Sequence, residues 1–162
     1  MSKTLERRKL EFHDLADVER EARLLLAKGY LSTGKWNLAQ VCNHINEWIR
    51  FPVDGYPSTP IFLRPIFWAL RSTVMPKKLN QYLADKSFPA GKPTMPATVF
   101  KPDFSTDQAA VDKLSATIRR VGAYREPLHP SPLFGNLNRE QHLGLQLVHA
   151  AHHLGFLAPK SS

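Results

Sequence analysis

A disulfide framework is excluded at once, because the chain has a single cysteine, Cys42. One thiol suits a reducing compartment, and the expected location is the cytoplasm. Cys42 falls on the apolar stripe of a patterned helix, so burial is expected of it rather than catalysis. Long apolar runs are also missing. The most apolar stretch, Pro60 to Met75, is interrupted by Arg64, Pro65 and Arg71. It is too short and too charged to span a bilayer. The segment Met1 to Lys9 is charged and has no apolar core, so no secretory signal is expected. Internal repeats are absent and strand-like alternation is scarce.

Basic blocks are scarce as well, despite a formal net charge of +8. That charge favours nucleic acid, anionic membranes or acidic small molecules. Yet the basic residues cluster only as Arg7-Arg8-Lys9, Lys77-Lys78 and Arg119-Arg120, with no zinc-finger or RNP-like pattern. A solvated basic surface is the expectation, and nucleic-acid binding ranks last.

What the chain does have is helical periodicity. At 162 residues it is expected to form one domain, 1–162, with a real core. A first helix is predicted over Thr4 to Lys28, with Leu15, Val18, Ala22 and Leu25 inward and Gly29 as its stop. The connector Tyr30 to Trp36 follows. Asn37 with Gln40 reads as a capping box opening a second helix, whose stripe is Leu38, Val41, Cys42, Ile45, Trp48 and Ile49. His44 sits at the edge of that stripe, and Pro52 is expected to end the helix. Residues Thr59 to Leu83 read as broken helix, with Pro65 and Pro76 at the breaks and Phe62, Phe67, Trp68 and Leu70 packing across the bundle. A membrane-surface role for this basic, aromatic segment is the lesser alternative. Lys86 to Phe104 is a proline-rich crossover. A third bundle helix is predicted from Ser105, capped with Gln108, to Gly122. A fourth runs from Asn138 to Leu157, stopped by Pro159. The fold class is therefore all-α: a four-helix bundle with a long crossover that carries extra short helices.

Seven histidines are present, and four crowd the last predicted helix: His142, His149, His152 and His153. His149 and His153 are four residues apart, which places two imidazoles on one face about 6 Å apart in rise. Two neutral imidazoles so placed can grip one metal ion, and His44 is the candidate third ligand. His152 pairs with His149 at i, i+3 and can stand in for His153. It points about 100° away from His153, so one ion is not expected to take both. His142 lies about 10 Å of rise before His149, which assigns it to a pocket wall or a polar contact. His13 and His129 are expected at the surface or in loops. Glu47 is one turn from His44, but its wheel position points outward, so a solvated carboxylate is expected and no general base is identified. Arg64, Arg71 and Arg125 are candidates to hold an acidic substrate.

These residues together resemble the DinB-like (YfiT-like) superfamily. The resemblance rests on Trp36-Asn37-Leu38-Ala39-Gln40-Val41-Cys42-Asn43-His44, on His129-Pro130 and Leu133-Phe134-Gly135-Asn136-Leu137, and on His149-Ala150-Ala151-His152-His153. The last two stretches resemble a bacterial branch of unknown function. The resemblance covers most of the chain. It implies a four-helix bundle with a metal held by a second-helix histidine and an H-x-x-x-H pair, which fall here on His44, His149 and His153. Imidazole ligands suit a divalent metal, zinc or nickel first and iron or manganese after them. The implied activity is that of a metal-dependent hydrolase or a thiol-dependent S-transferase acting on a small thiol or an acidic substrate. The chain departs from the pattern in its long segment Thr59 to Phe104. It departs again at Leu154-Gly155-Phe156-Leu157, where many relatives carry Arg or Gln. The alternative is a non-catalytic helical bundle, metal-binding or metal-free, that acts as an interaction module and pairs as a homodimer through its aromatic segment.

Overall fold

The computed structural model describes residues 6–89 and 106–161. Among them are six α-helices and one two-stranded antiparallel sheet: α1 (Leu15–Lys28), β1 (Tyr30–Ser32), α2 (Leu38–Asp54), α3 (Arg64–Thr73), α4 (Met75–Asp85), α5 (Asp107–Ala123), α6 (Arg139–Leu154) and β2 (Leu157–Pro159). A short 3-10 turn, Ile61–Leu63, leads into α3. The expectation of a mostly helical chain holds.

Four helices share one core. Val18, Ala22 and Leu25 of α1 meet Leu38, Val41, Cys42, Ile45 and Ile49 of α2. Ala110, Val111, Leu114 and Ile118 of α5 and Leu147, Ala150 and Leu154 of α6 close it. Each of these sets recurs at helical spacing, so each helix turns one apolar stripe inward. Helix α2 goes further: thirteen of its seventeen residues are buried. It runs through the middle of the structure, which is why a polar residue on almost any of its faces ends up away from water.

The start of α2 is fixed by a network of caps. The Asn37 side chain accepts from Gln40 N, and the Gln40 side chain reaches back to Asn37 N, completing the predicted capping box. Two further amides are satisfied from outside the helix. Leu38 N donates to the Tyr30 hydroxyl at 3.0 Å, and Ala39 N donates to Asp107 Oδ1 at 2.8 Å. Tyr30 in turn donates to Asp107 Oδ2 at 3.0 Å. The N-terminal turns of α2 and α5 are thereby tied together two turns ahead of His44.

Several boundaries differ from the sequence reading. Helix α1 begins at Leu15 rather than Thr4, with Asp14 accepting from Asp17 N at 2.8 Å. The described residues before it are not helical, because Arg8 pins them to the end of α6. Arg8 N donates to Gly155 O at 2.8 Å, and Arg8 Nε donates to Leu157 O at 2.6 Å. Pro52 lies inside the last turn of α2 instead of ending it, and Gly55 N closes the helix on Phe51 O. In that turn the missing N–H costs only one late hydrogen bond. Helix α6 stops at Leu154, and Leu157, read as its last residue, opens β2, which pairs with β1 inside the predicted connector. Helix α5 is capped by Thr106, whose hydroxyl accepts from Ala109 N. The predicted cap Ser105 and most of the crossover Lys86–Phe104 lie outside the described residues.

Only part of the aromatic segment turns inward: Phe67 and Leu70 are half-buried, and Phe67 shares a cavity wall with Trp48 and Phe51 of α2, whereas Phe62 and Trp68 do not pack across the bundle. Helix α3 has no buried residue, and Phe62 and Trp68 are 74% and 61% exposed. Helix α4 is the one that docks, with Leu83 lying over Gly144 of α6. No helix among the described residues is long and apolar enough to cross a membrane.

Candidate metal centre

His44 enters the core from the second turn of α2, where burial removes all of its exposed surface. His149 and His153 enter from the last turns of α6, one helical turn apart. Because α2 and α6 pack side by side, their rings converge. His44 Nε2 lies 2.9 Å from His149 Nε2, a buried N–H···N contact. The three ring centroids are 4.4–4.7 Å apart. Each ring offers one nitrogen, and the three nitrogens lie within 4.8 Å of one another. A tetrahedral ion with bonds of 2.0–2.1 Å holds its nitrogens about 3.3 Å apart. Small ring rotations therefore bring this trio to coordination distance, and the cluster can hold a divalent metal.

An aromatic frame fixes the rings. The Trp36 ring stacks on His153 at 5.4 Å with an interplanar angle of 11°, and meets His44 edge-on at 5.1 Å. Trp48, one turn after His44, lies 4.5 Å from His149. Phe88 covers His149 and His152 edge-on from the other side. These rings exclude water without offering a competing strong acceptor.

Electrostatics keep His149 and His153 neutral. Burial, reinforced by the neighbouring rings of His153, His44 and His152, holds His149 well below the usual histidine pKa. The same causes, with Arg7 nearby, push His153 down to about 2. His152 is pushed down to about 4 by burial and by Arg7. Neutral imidazoles keep the lone pairs that a metal needs. His149 Nδ1 is buried and has no hydrogen-bond partner among the described residues.

The structure thus brings His44, His149 and His153 together. His152 lies beside them, its ring 4.9 Å from that of His153, but is outside the three-nitrogen group. His142 is buried apart from the cluster, with Nε2 unpartnered among the described residues and its pKa lowered by burial. His13 and His129 are exposed. His129 N also ties its loop to Pro52 O at 2.8 Å.

Glu47 requires a correction. It is 8% exposed, not solvated, and its carboxylate is held by Arg50 Nε at 2.9 Å. Its outward face on the helical wheel is covered because α2 is buried on almost every side. The candidate substrate arginines Arg64, Arg71 and Arg125 are exposed, and Arg125 is occupied by the carbonyls of Gly122 and Tyr124. Sequence reasoning missed the roles of Trp36 and Phe88, since ring stacking across chain segments leaves no periodic trace. Trp48 was legible only as a member of the apolar stripe of α2. The second capping box, Asn138 with Gln141, was also missed, although its spacing repeats that of Asn37 and Gln40.

A family model described as a protein of unknown function (DUF1569) matches residues 4–160. No curated protein and no solved structure matches the chain.

Proposed function

The chain belongs to the DUF1569 family of proteins of unknown function, and we propose that it is a DinB-like helical bundle, one unit along its length, whose His44, His149 and His153 hold a catalytic divalent metal. The reaction we assign is hydrolysis or thiol-dependent S-transfer, with zinc or nickel as the ion. One observation carries the reading: three imidazoles from two helices, two buried and one half-buried, offer nitrogens within 4.8 Å of one another.

An ion with three protein ligands keeps a position open and lowers the pKa of a water or thiol placed there. The chain's own residues do the rest. Trp36 and Trp48 hold the ligand rings in place and keep the site dry. No carboxylate joins the three-nitrogen group among the described residues. That favours the thiol chemistry, because a free thiol with a pKa of about 8.5 needs far less help to ionise than water does.

The test is elemental analysis of protein purified without a histidine tag, together with a panel of low-molecular-weight thiols. About one metal per chain, lost in His149→Ala, and turnover with one of the thiols support the reading. A chain that stays metal-free when offered zinc and nickel overturns it.

A second reading has its own observation. Ile61, Phe62, Ile66 and Trp68 present a contiguous apolar surface around α3, with Ile61 78% exposed. Such a surface suits a second copy of the chain, making the protein a pairing module. Sedimentation of the wild type and of Trp68→Asp tests this: a dimer that dissociates in the variant supports it, and a wild-type monomer at high concentration removes it.

A further inference from the structure

The basic triple Arg7-Arg8-Lys9 takes no part in the three-histidine cluster, yet the fold brings it beside that cluster. Arg8 is the anchor: it bonds the carbonyls at the end of α6 and pairs with Glu21. Gly155 makes the docking possible, since a Cβ there would lie 2.6 Å from Arg8 O. The chain then passes along α6 and forms one wall of a cleft of about 240 Å³.

The lining of this cleft is one-sided in charge. Arg7, Arg8, Lys9 and Lys86 face it together with Phe88 and His152, and no carboxylate among the described residues lines it. Arg8 is neutralised by Glu21 and Lys86 by Glu11. Arg7 and Lys9 have no ion-pair partner among the described residues. The Arg7 guanidinium lies over the Phe156 ring at 5.0 Å, and its Nε is buried without a hydrogen-bond partner. A planar guanidinium that is half-buried and has no ion-pair partner among the described residues is a donor set suited to an oxyanion.

The position of the cleft gives this charge a purpose. Two of its lining residues, His152 and Phe88, also touch the ligand rings. His152 lies 4.9 Å from His153, and Phe88 lies 6.1 Å from His149. The cleft therefore borders the rings that flank the three-nitrogen site. We propose that this cleft is an oxyanion site, anchored by Arg7 and assisted by Lys9, that holds the carboxylate or phosphate of the substrate while its reacting end lies at the three histidines. This rests on the metal-centre reading for its catalytic meaning, but the anion site itself does not depend on it. It also reassigns substrate binding from Arg64, Arg71 and Arg125 to a residue near the start of the chain.

Calorimetric titration with inorganic phosphate and with succinate tests the site, on the whole chain both metal-loaded and chelator-treated. Saturable binding of at least one of them is expected in both forms. Arg7→Gln should weaken it at least tenfold without changing the metal content. Lys9→Gln alters an exposed side chain that cannot unfold the protein, and should weaken binding about threefold. Arg20→Gln, a surface control, should change nothing. The phosphorus nucleus of bound phosphate should relax faster in manganese-loaded than in zinc-loaded protein. Absence of saturable binding by either anion overturns the proposal, as does wild-type affinity in both Arg7→Gln and Lys9→Gln. Loss of binding in His149→Ala would place the anion on the metal and overturn it too. Equal relaxation in the two metal forms removes the link to catalysis. Failure of the metal reading is distinct: the chain then takes up no metal yet still binds the anion.

Discussion

Metal-free protein should lose stability between pH 7 and pH 5, and the loss should come from buried histidines. Unfolded histidine titrates near 6.5. In the folded protein His149 is held well below that value and His153 is pushed down to about 2. The unfolded chain therefore binds protons in this interval that the folded one refuses, so stability rises with pH. The contribution is complete above the unfolded pKa and is lost as pH falls below it. For one fully buried ring the difference between pH 7 and pH 5 is about 2 kcal/mol. His153 keeps part of its surface in water, so its share is smaller, and the pair contributes about 3 kcal/mol. His142 and His152 are held low in the same direction and add to the loss. The paired carboxylates Asp17 and Asp54 do not interfere, since their pKa values are lowered from an already acidic range. For a chain of this size, 3 kcal/mol corresponds to a fall in Tm of about 6–12 °C. Urea titrations in chelator at pH 7, 6 and 5 provide the assay, and His149→Phe should flatten the slope. Wild-type stability constant to within about 0.5 kcal/mol across this range, well inside the predicted loss, would refute the burial argument.

Other substitutions probe the scaffold. Gly155→Ala should destabilise by about 1–3 kcal/mol, because the new methyl meets the backbone oxygens of Arg8 and Ala151, which cannot step aside; chemical denaturation measures it, and a neutral result would show that the N-terminal strap is loosely held. Tyr30→Phe should cost about 1–3 kcal/mol by leaving Leu38 N without its acceptor; a Phe variant as stable as the wild type would remove the cap network from the account. Cys42, buried and with its thiol pushed up to about 12, should not react with a disulfide reagent until the protein unfolds, when one equivalent should appear; rapid native reaction would contradict its placement. Trp36→Ala should weaken zinc affinity by about 10-fold or more by freeing His44 and His153; unchanged affinity in a metal titration would reduce Trp36 to packing.

The helices were legible where local chemistry decides them. Asn37 and Gln40 announce the start of α2, and Val18, Ala22 and Leu25 announce the buried face of α1. The pairing of His149 with His153 follows from helical spacing alone. What the sequence hid was decided by contacts between distant segments. Residues 6–12 look like the opening of α1 but are held out of the helix by Arg8 on the end of α6. Glu47 looks solvated on a wheel, yet α2 has almost no outer face. The strands β1 and β2 have three residues each, too few to show alternation. The exposed aromatics of α3 misled in the opposite direction, since bulk and helical spacing do not by themselves supply a neighbour.

X-ray absorption on zinc-loaded, tag-free protein tests the centre most directly. The account predicts three imidazole nitrogens at 2.0–2.1 Å with one further light ligand, and a drop in imidazole count in both His44→Ala and His153→Ala. A zinc spectrum with sulfur in the shell, or one unchanged by either substitution, would contradict it.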